Sequence, residues 1–173
     1  GTNLTGRPAP EISSSSGLSG WSPGTTLESL RGRPVVLKFF FVACPACRRS
    51  MPEFDALHRA YASRGVQFVA VAFDERKKVE AYWRQSGFSA PVAIDEAGVT
   101  SQRYGVVSYP TTYVVGADGR VASYQRLSSS VLDRPGRGRL RGPTCAHHCH
   151  TARRFPPKQR GYQPRNGVLK RRN

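Results

Sequence analysis

Two cysteines separated by two residues, Cys44-Pro45-Ala46-Cys47, stand at the end of an almost unbroken apolar run. Val35 to Val42 is apolar at every position but Lys38, and it is rich in β-branched and aromatic side chains. A run of that length and composition reads as a strand buried on both faces. Pro45 suits the first turn of a helix, where its missing N–H costs nothing. From Ala46 to Ser63 the residues Met51, Phe54, Leu57, Ala60 and Tyr61 recur at helical spacing, and Gly65 supplies a stop. A buried strand needs a neighbour on each edge and a helix needs a surface to cover. The junction therefore demands an α/β layer structure with a dithiol at the point where strand becomes helix.

The following segments fit that demand. Gln67 to Phe73 reads as a second buried strand, Lys77 to Ser86 as a helix ended by Gly87, and Pro91 to Asp95 as a short strand. Glu96 to Tyr104 reads as a short helix closed by Gly105. Thr111 to Val115 and Val121 to Gln125 are two more strands, and Gly116-Ala117-Asp118-Gly119 between them predicts a hairpin. Residues 1–34, rich in Gly, Pro, Ser and Thr, read as an irregular lead-in with one short strand or turn. The expected architecture is an α/β fold with a central mixed sheet flanked by helices: parallel strands from the crossovers, an antiparallel edge from the hairpin.

Composition splits the chain. Residues 1–127 carry 15 basic and 10 acidic side chains, whereas residues 128–173 carry 12 basic ones and only Asp133. The net charge of +16 therefore belongs largely to the end of the chain. The domain reading is 1–127 folded, then 128–173 as a basic, disordered tail that buries too little apolar surface to offset its ordering entropy. The tail lacks interleaved aromatic and basic residues and any nucleic-acid module, so solvated charge is preferred to a nucleic-acid surface. Its abrupt loss of pattern and its Arg/Pro/Gly/His bias raise the expectation of a shifted reading frame or another aberrant end. Within it, Cys145, His147, His148, Cys149 and His150 offer soft and imidazole ligands, but their spacing matches no common zinc module. No run of about 18 apolar residues suggests a spanning helix, and no signal-peptide pattern stands at the front.

The dithiol has a specific chemistry in this setting. A thiol at a helix N-terminus faces unpaired N–H groups and the positive end of the dipole, both of which favour thiolate. Cys44 is read as the nucleophile and Cys47 as the residue that resolves the resulting mixed disulfide. Arg48 and Arg49 add positive charge beside the pair. A zinc half-site would need two further ligands, and His58, the only histidine in residues 1–127, lies about three turns along the helix. The domain is therefore read without metal and without a cofactor. Tyr109-Pro110, just before a strand, suits a cis peptide bond abutting the dithiol, with Tyr109, Pro45 and Ala46 offering contact to substrate.

Together these residues resemble the TlpA/ResA branch of the thioredoxin-like proteins. Gly6-Arg7-Pro8-Ala9-Pro10-Glu11 is similar to its opening. Val35 to Phe40, Cys44-Pro45-Ala46-Cys47-Arg48 and Met51-Pro52-Glu53 are similar to its active-site strand and helix. Val69 to Asp74, Tyr104-Gly105-Val106, Tyr109 to Val115 and Asp118 to Val121 resemble the strands that follow, the cis-proline among them. The resemblance spans about residues 4–127. It implies a thioredoxin-like fold and an extracytoplasmic protein disulfide reductase, facing the periplasm and often tethered by an N-terminal anchor. Its partners would be protein thiols and disulfides, apocytochromes awaiting haem included, with an upstream electron donor.

Four departures stand against that pattern. Ala43 replaces a Trp often found before the first cysteine, leaving the site less covered. Ser50 stands where a Glu commonly follows the second cysteine. Lys38 takes the strand position of a buried Asp; it would favour thiolate, and burial would lower its own pKa, but snorkelling to the surface is the expected placement. The usual C-terminal helix is missing, since Ser128 onward is broken by Pro and Gly. Two other functions compete: a peroxiredoxin-like peroxidase, disfavoured by Phe41 where a Thr or Ser would precede the attacking cysteine, and a non-catalytic binding module, disfavoured by the intact Cys44 and Cys47.

Overall fold

The structure is a computed structural model, and it describes residues 3–126 except Ser15. Expectations for residues 128–173, including the Cys145–His150 cluster and the missing helix, lie outside the described residues.

Six strands form one sheet. They are β1 (Gly17–Leu18), β2 (Val35–Phe40), β3 (Gln67–Ala72), β4 (Val92–Ile94), β5 (Thr111–Val115) and β6 (Val121–Arg126), in the order β1-β4-β3-β2-β5-β6. β2 lies parallel to β3, pairing Val35 with Gln67 and Phe40 with Ala72. β3 lies parallel to β4, and β5 lies antiparallel to β2, pairing Phe39 with Thr111. The hairpin β5–β6 extends one edge, and β1 closes the other by antiparallel pairing to β4. Three helices connect the strands: α1 (Pro45–Tyr61), α2 (Arg76–Ser86) and α3 (Val99–Arg103). The fold class and element order match the sequence reading. The third helix is the main difference, starting at Val99 rather than Glu96.

Strand alternation divides the core into two layers. Leu37 and Phe39 face one layer, with Val69, Val71, Tyr104 and Tyr113. Phe40 faces the other, with Met51, Phe54, Val79 and Trp83 from α1 and α2. Each fully buried Leu or Phe in these layers contributes roughly 1.5–3 kcal/mol. Gly65 and Gly87, both at positive φ, end the helical segments where the chain must turn back toward the sheet. Pro52 inside α1 cannot donate to the Arg48 carbonyl, a local break that the packing of Met51 and Phe54 outweighs.

The lead-in is irregular, as expected, yet it forms much of one layer. Leu4, Ile12, Trp21 and Leu27 are all buried against β2 and its neighbours. Hydrogen bonds fix the path. The Glu11 carboxylate accepts from the backbone N–H of Leu27 at 2.5 Å and of Glu28 at 3.3 Å. The Tyr104 hydroxyl donates to Pro10 O at 2.7 Å, and Ser13 N donates to Thr100 Oγ1 at 3.0 Å. Apolar residues spaced this widely leave no periodic trace, so composition alone hid their burial.

Trp21 is only 4% exposed. Trp21→Ala should lower the unfolding free energy by about 3–5 kcal/mol in urea titrations. A loss below about 0.5 kcal/mol would show that the lead-in is not part of the core.

Candidate active site

Cys44 caps the N-terminus of α1, with φ −72° and ψ 114°, so the chain leaves β2 extended and turns at this residue. Its sulfur accepts from Cys47 N at 3.1 Å, one of the helix N–H groups that lack an intrahelical partner. Cys44 and Cys47 are joined as a disulfide, with Cα atoms 5.2 Å apart. Cys47 is buried and Cys44 is 4% exposed. Pro45 is exposed at the first helical position, and Ala46 beside it is half-buried.

The loop before β5 faces the pair. Tyr109-Pro110 is a cis peptide bond, and the Tyr109 carbonyl oxygen lies 3.8 Å from Cys44 Sγ. The structure thus brings Cys44, Cys47 and Tyr109 together. Tyr109 and Pro110 separate two open spaces. Tyr109 lines a cleft of about 560 Å³ with Phe41, Val42, Ala43, Phe73 and Asp74. Pro110 lines a groove of about 260 Å³ with Lys38, Glu53 and Phe54.

Arg48 is exposed, and its guanidinium is engaged by an aromatic ring and a backbone carbonyl. It stands 5.0 Å from the Tyr82 ring centre, and Nη1 donates to Val42 O at 3.5 Å. Ser50 donates its hydroxyl to Cys47 O at 3.2 Å, so this departure from the family pattern ties up a helical carbonyl.

Lys38 corrects one expectation. It does not snorkel to the surface; it is 7% exposed. The strand alternation points it under α1, where Nζ donates to Ser50 O at 3.1 Å and sits 5.5 Å from the Phe54 ring centre. Glu53 attracts the ammonium, but burial dominates and pulls its pKa down from 10.5 to about 8.

Sequence reasoning missed the aromatic wall and its anchor. Phe41 meets the Tyr109 ring edge-on at 5.4 Å, and Phe73 stacks on the same ring at 6.1 Å with 8° between planes. Asp74 Oδ2 accepts from Val42 N at 3.1 Å and so holds the loop that precedes Cys44. A usable signal existed: Phe73 and Asp74 follow the C-terminal end of a parallel strand, the edge where α/β sheets place their sites.

A mixed sheet with a disulfide at a helix N-terminus and a cis-proline loop against it defines a thioredoxin-like dithiol domain. The chain belongs to the AhpC/TSA family, whose sequence model matches residues 5–124. It is 33% identical over 96 residues to the thiol-disulfide oxidoreductase ResA of Bacillus thuringiensis, covering 55% of this chain and 56% of that protein. It is 34% identical over 118 residues to the thioredoxin-like protein YneN of Bacillus subtilis, covering 66% of each. The chain thus spans little more than half the length of the first ResA relatives. A solved structure of a thiol:disulfide interchange protein DsbE of Chlorobium tepidum superposes with a TM-score of 0.64 at 27% identity, covering 75% of this chain and 90% of that one.

Because the buried Lys38 ammonium is disfavoured, Lys38→Met should stabilise the domain by about 2–3 kcal/mol at pH 7. The folded wild type binds fewer protons than the unfolded chain between about pH 8 and 10.5, so wild-type stability rises with pH across that window. The advantage of Lys38→Met should shrink accordingly. Denaturant titrations at pH 7 and pH 10 check this; an advantage constant with pH would contradict a depressed lysine.

Proposed function

We propose that this domain is a thiol–disulfide oxidoreductase of the ResA type that reduces protein disulfides through a mixed disulfide. The observation that carries the reading is the Cys44–Cys47 disulfide at the N-terminus of α1, with the Tyr109 carbonyl 3.8 Å from Cys44 Sγ. The names of the relatives support the same reaction class.

In the reduced protein, negative charge on Cys44 Sγ is stabilised by the Cys47 N–H and by the helix dipole. The thiolate attacks a substrate disulfide, whose S–S bond breaks as the Cys44–substrate bond forms; one substrate thiolate leaves and takes up a proton. Cys47, deprotonated, then attacks Cys44 Sγ. The second substrate thiol departs, and the protein is left in the Cys44–Cys47 disulfide form. Two electrons have moved to the substrate, and an upstream dithiol donor restores the reduced state. Cys44, at the N-cap and against the Tyr109 carbonyl, is assigned as the attacking sulfur and Cys47, in the first turn of α1, as the resolving one.

The peroxidase alternative gains no support. Phe41 occupies the place of the hydroxyl that would stand three residues before the attacking sulfur, and its ring is committed to packing on Tyr109. A binding module would have no use for a dithiol at the N-terminus of α1 with the cis-proline loop against it. We place the work outside the cytoplasm, on protein disulfides that include those of apocytochromes, with membrane tethering supplied from outside this chain. No helix among the described residues is long and apolar enough to cross a membrane.

Equilibration against dithiothreitol and glutathione buffers should reveal a reversible two-electron couple near or below about −250 mV. Cys44→Ser should abolish it, and Cys47→Ser should trap a substrate on Cys44. A potential near about −120 mV would instead make the protein an oxidant. Absence of any couple would end the oxidoreductase reading.

A further inference from the structure

We infer that the cleft beside Cys44 is a specificity subsite for a substrate protein that carries an aromatic side chain next to its reacting cysteine and an acidic residue nearby. This deepens the oxidoreductase reading and rests on it.

Three observations converge on the cleft. The first is position. Ala43, the residue before Cys44, lines it, and so does Tyr109, whose carbonyl stands against Cys44 Sγ. A chain whose sulfur reaches Cys44 finds this space beside it for a neighbouring residue. The second is shape and surface. The cleft holds about 560 Å³, room for one large side chain with its flanking backbone. Phe41, Phe73 and Tyr109 form its wall, and Phe73 is 42% exposed, with Tyr61 one of two aromatics among the described residues that stand out from the core. An exposed ring stacked on a second ring offers a flat, preformed face to a third. The small Ala43 is what leaves that face open.

The third observation is charge. Arg48 lines the cleft and, among the described residues, pairs with no carboxylate; its partners are the Tyr82 ring and the Val42 carbonyl. Lys78, also on the rim, is already shared by Asp74 at 3.7 Å and Glu75 at 2.8 Å. Arg48 is therefore the cation left to meet an acid on the incoming chain. A free aromatic ligand would use the wall but not the dithiol, so the occupant is the reacting polypeptide itself.

Short peptides linked as symmetric disulfides provide the test, with the residue after cysteine set to Phe or Gly and a nearby position set to Glu or Lys. The readout is the second-order rate at which each oxidises the reduced full chain. In the wild type the Phe peptide should react about tenfold faster than the Gly peptide. The Glu version should outpace the Lys version about threefold. Phe73→Ser, at an exposed position, should collapse the Phe-to-Gly ratio toward one, and Arg48→Gln should collapse the Glu-to-Lys ratio. Ala43→Trp fills the cleft without removing any wall residue and should also flatten the Phe-to-Gly ratio, which guards against a folding defect in Phe73→Ser. A wild-type ratio near one, or a ratio that survives both Phe73→Ser and Ala43→Trp, would overturn the subsite. If all peptides react but without selectivity, the subsite fails while the oxidoreductase reading stands. If none reacts and dithiothreitol fails to reduce the Cys44–Cys47 pair, that reading fails first.

Discussion

The antiparallel register of β5 against β2 is the constraint on which the site depends. Phe39 opposite Thr111 places the residue before β5 beside the end of β2, just where the chain turns into α1. Pro110 and Tyr109 thereby reach the dithiol across a sequence gap of 65 residues. A register shift of one residue would exchange the faces of β5. It would bury Thr112 in place of Tyr113 and break the Tyr113 hydroxyl's bond to Tyr104 O at 2.6 Å. The hydrophobic layers on both sides therefore hold the cis-proline loop in place, and Cys44 and Cys47 are themselves part of the layer under α1.

Much of this was legible from the chain alone because the signals are local. A continuous apolar run marks β2, helical spacing with Gly65 marks α1, and Asp118-Gly119 marks the hairpin. The dithiol was legible for the same reason, since strand, motif and helix are contiguous. What escaped is what depends on distant contacts. Trp21 and Leu27 carry no periodic mark, and only the sheet shows them to be core. Phe41, Phe73 and Tyr109 meet from three separate segments, so no window of sequence contains the aromatic wall.

Lys38 illustrates a subtler limit. Its identity as a charged residue argued for the surface, because a long side chain usually carries its ammonium to water. The strand decided otherwise. Position 38 lies between Leu37 and Phe39, which must face the opposite layer, so Lys38 is bound to project under α1. The amine then takes what is there: the Ser50 carbonyl, the face of Phe54 and the field of Glu53. Register overrode residue preference, and the cost appears as a depressed lysine pKa.

The departures from the family pattern act together. A buried cation on the strand and a serine in the first turns of α1 stand where the resemblance implies two carboxylates. Lys38 binds Ser50 O, and Ser50 Oγ binds Cys47 O, so the cation is tied to the turn that carries the inner cysteine. The amine therefore sits two hydrogen bonds from the backbone of the inner cysteine. Ala43 lines the cleft shared with Tyr109, where its small side chain leaves room. The buried amine and the aromatic cleft thus belong to separate linings, the first shared with Pro110 and the second with Tyr109.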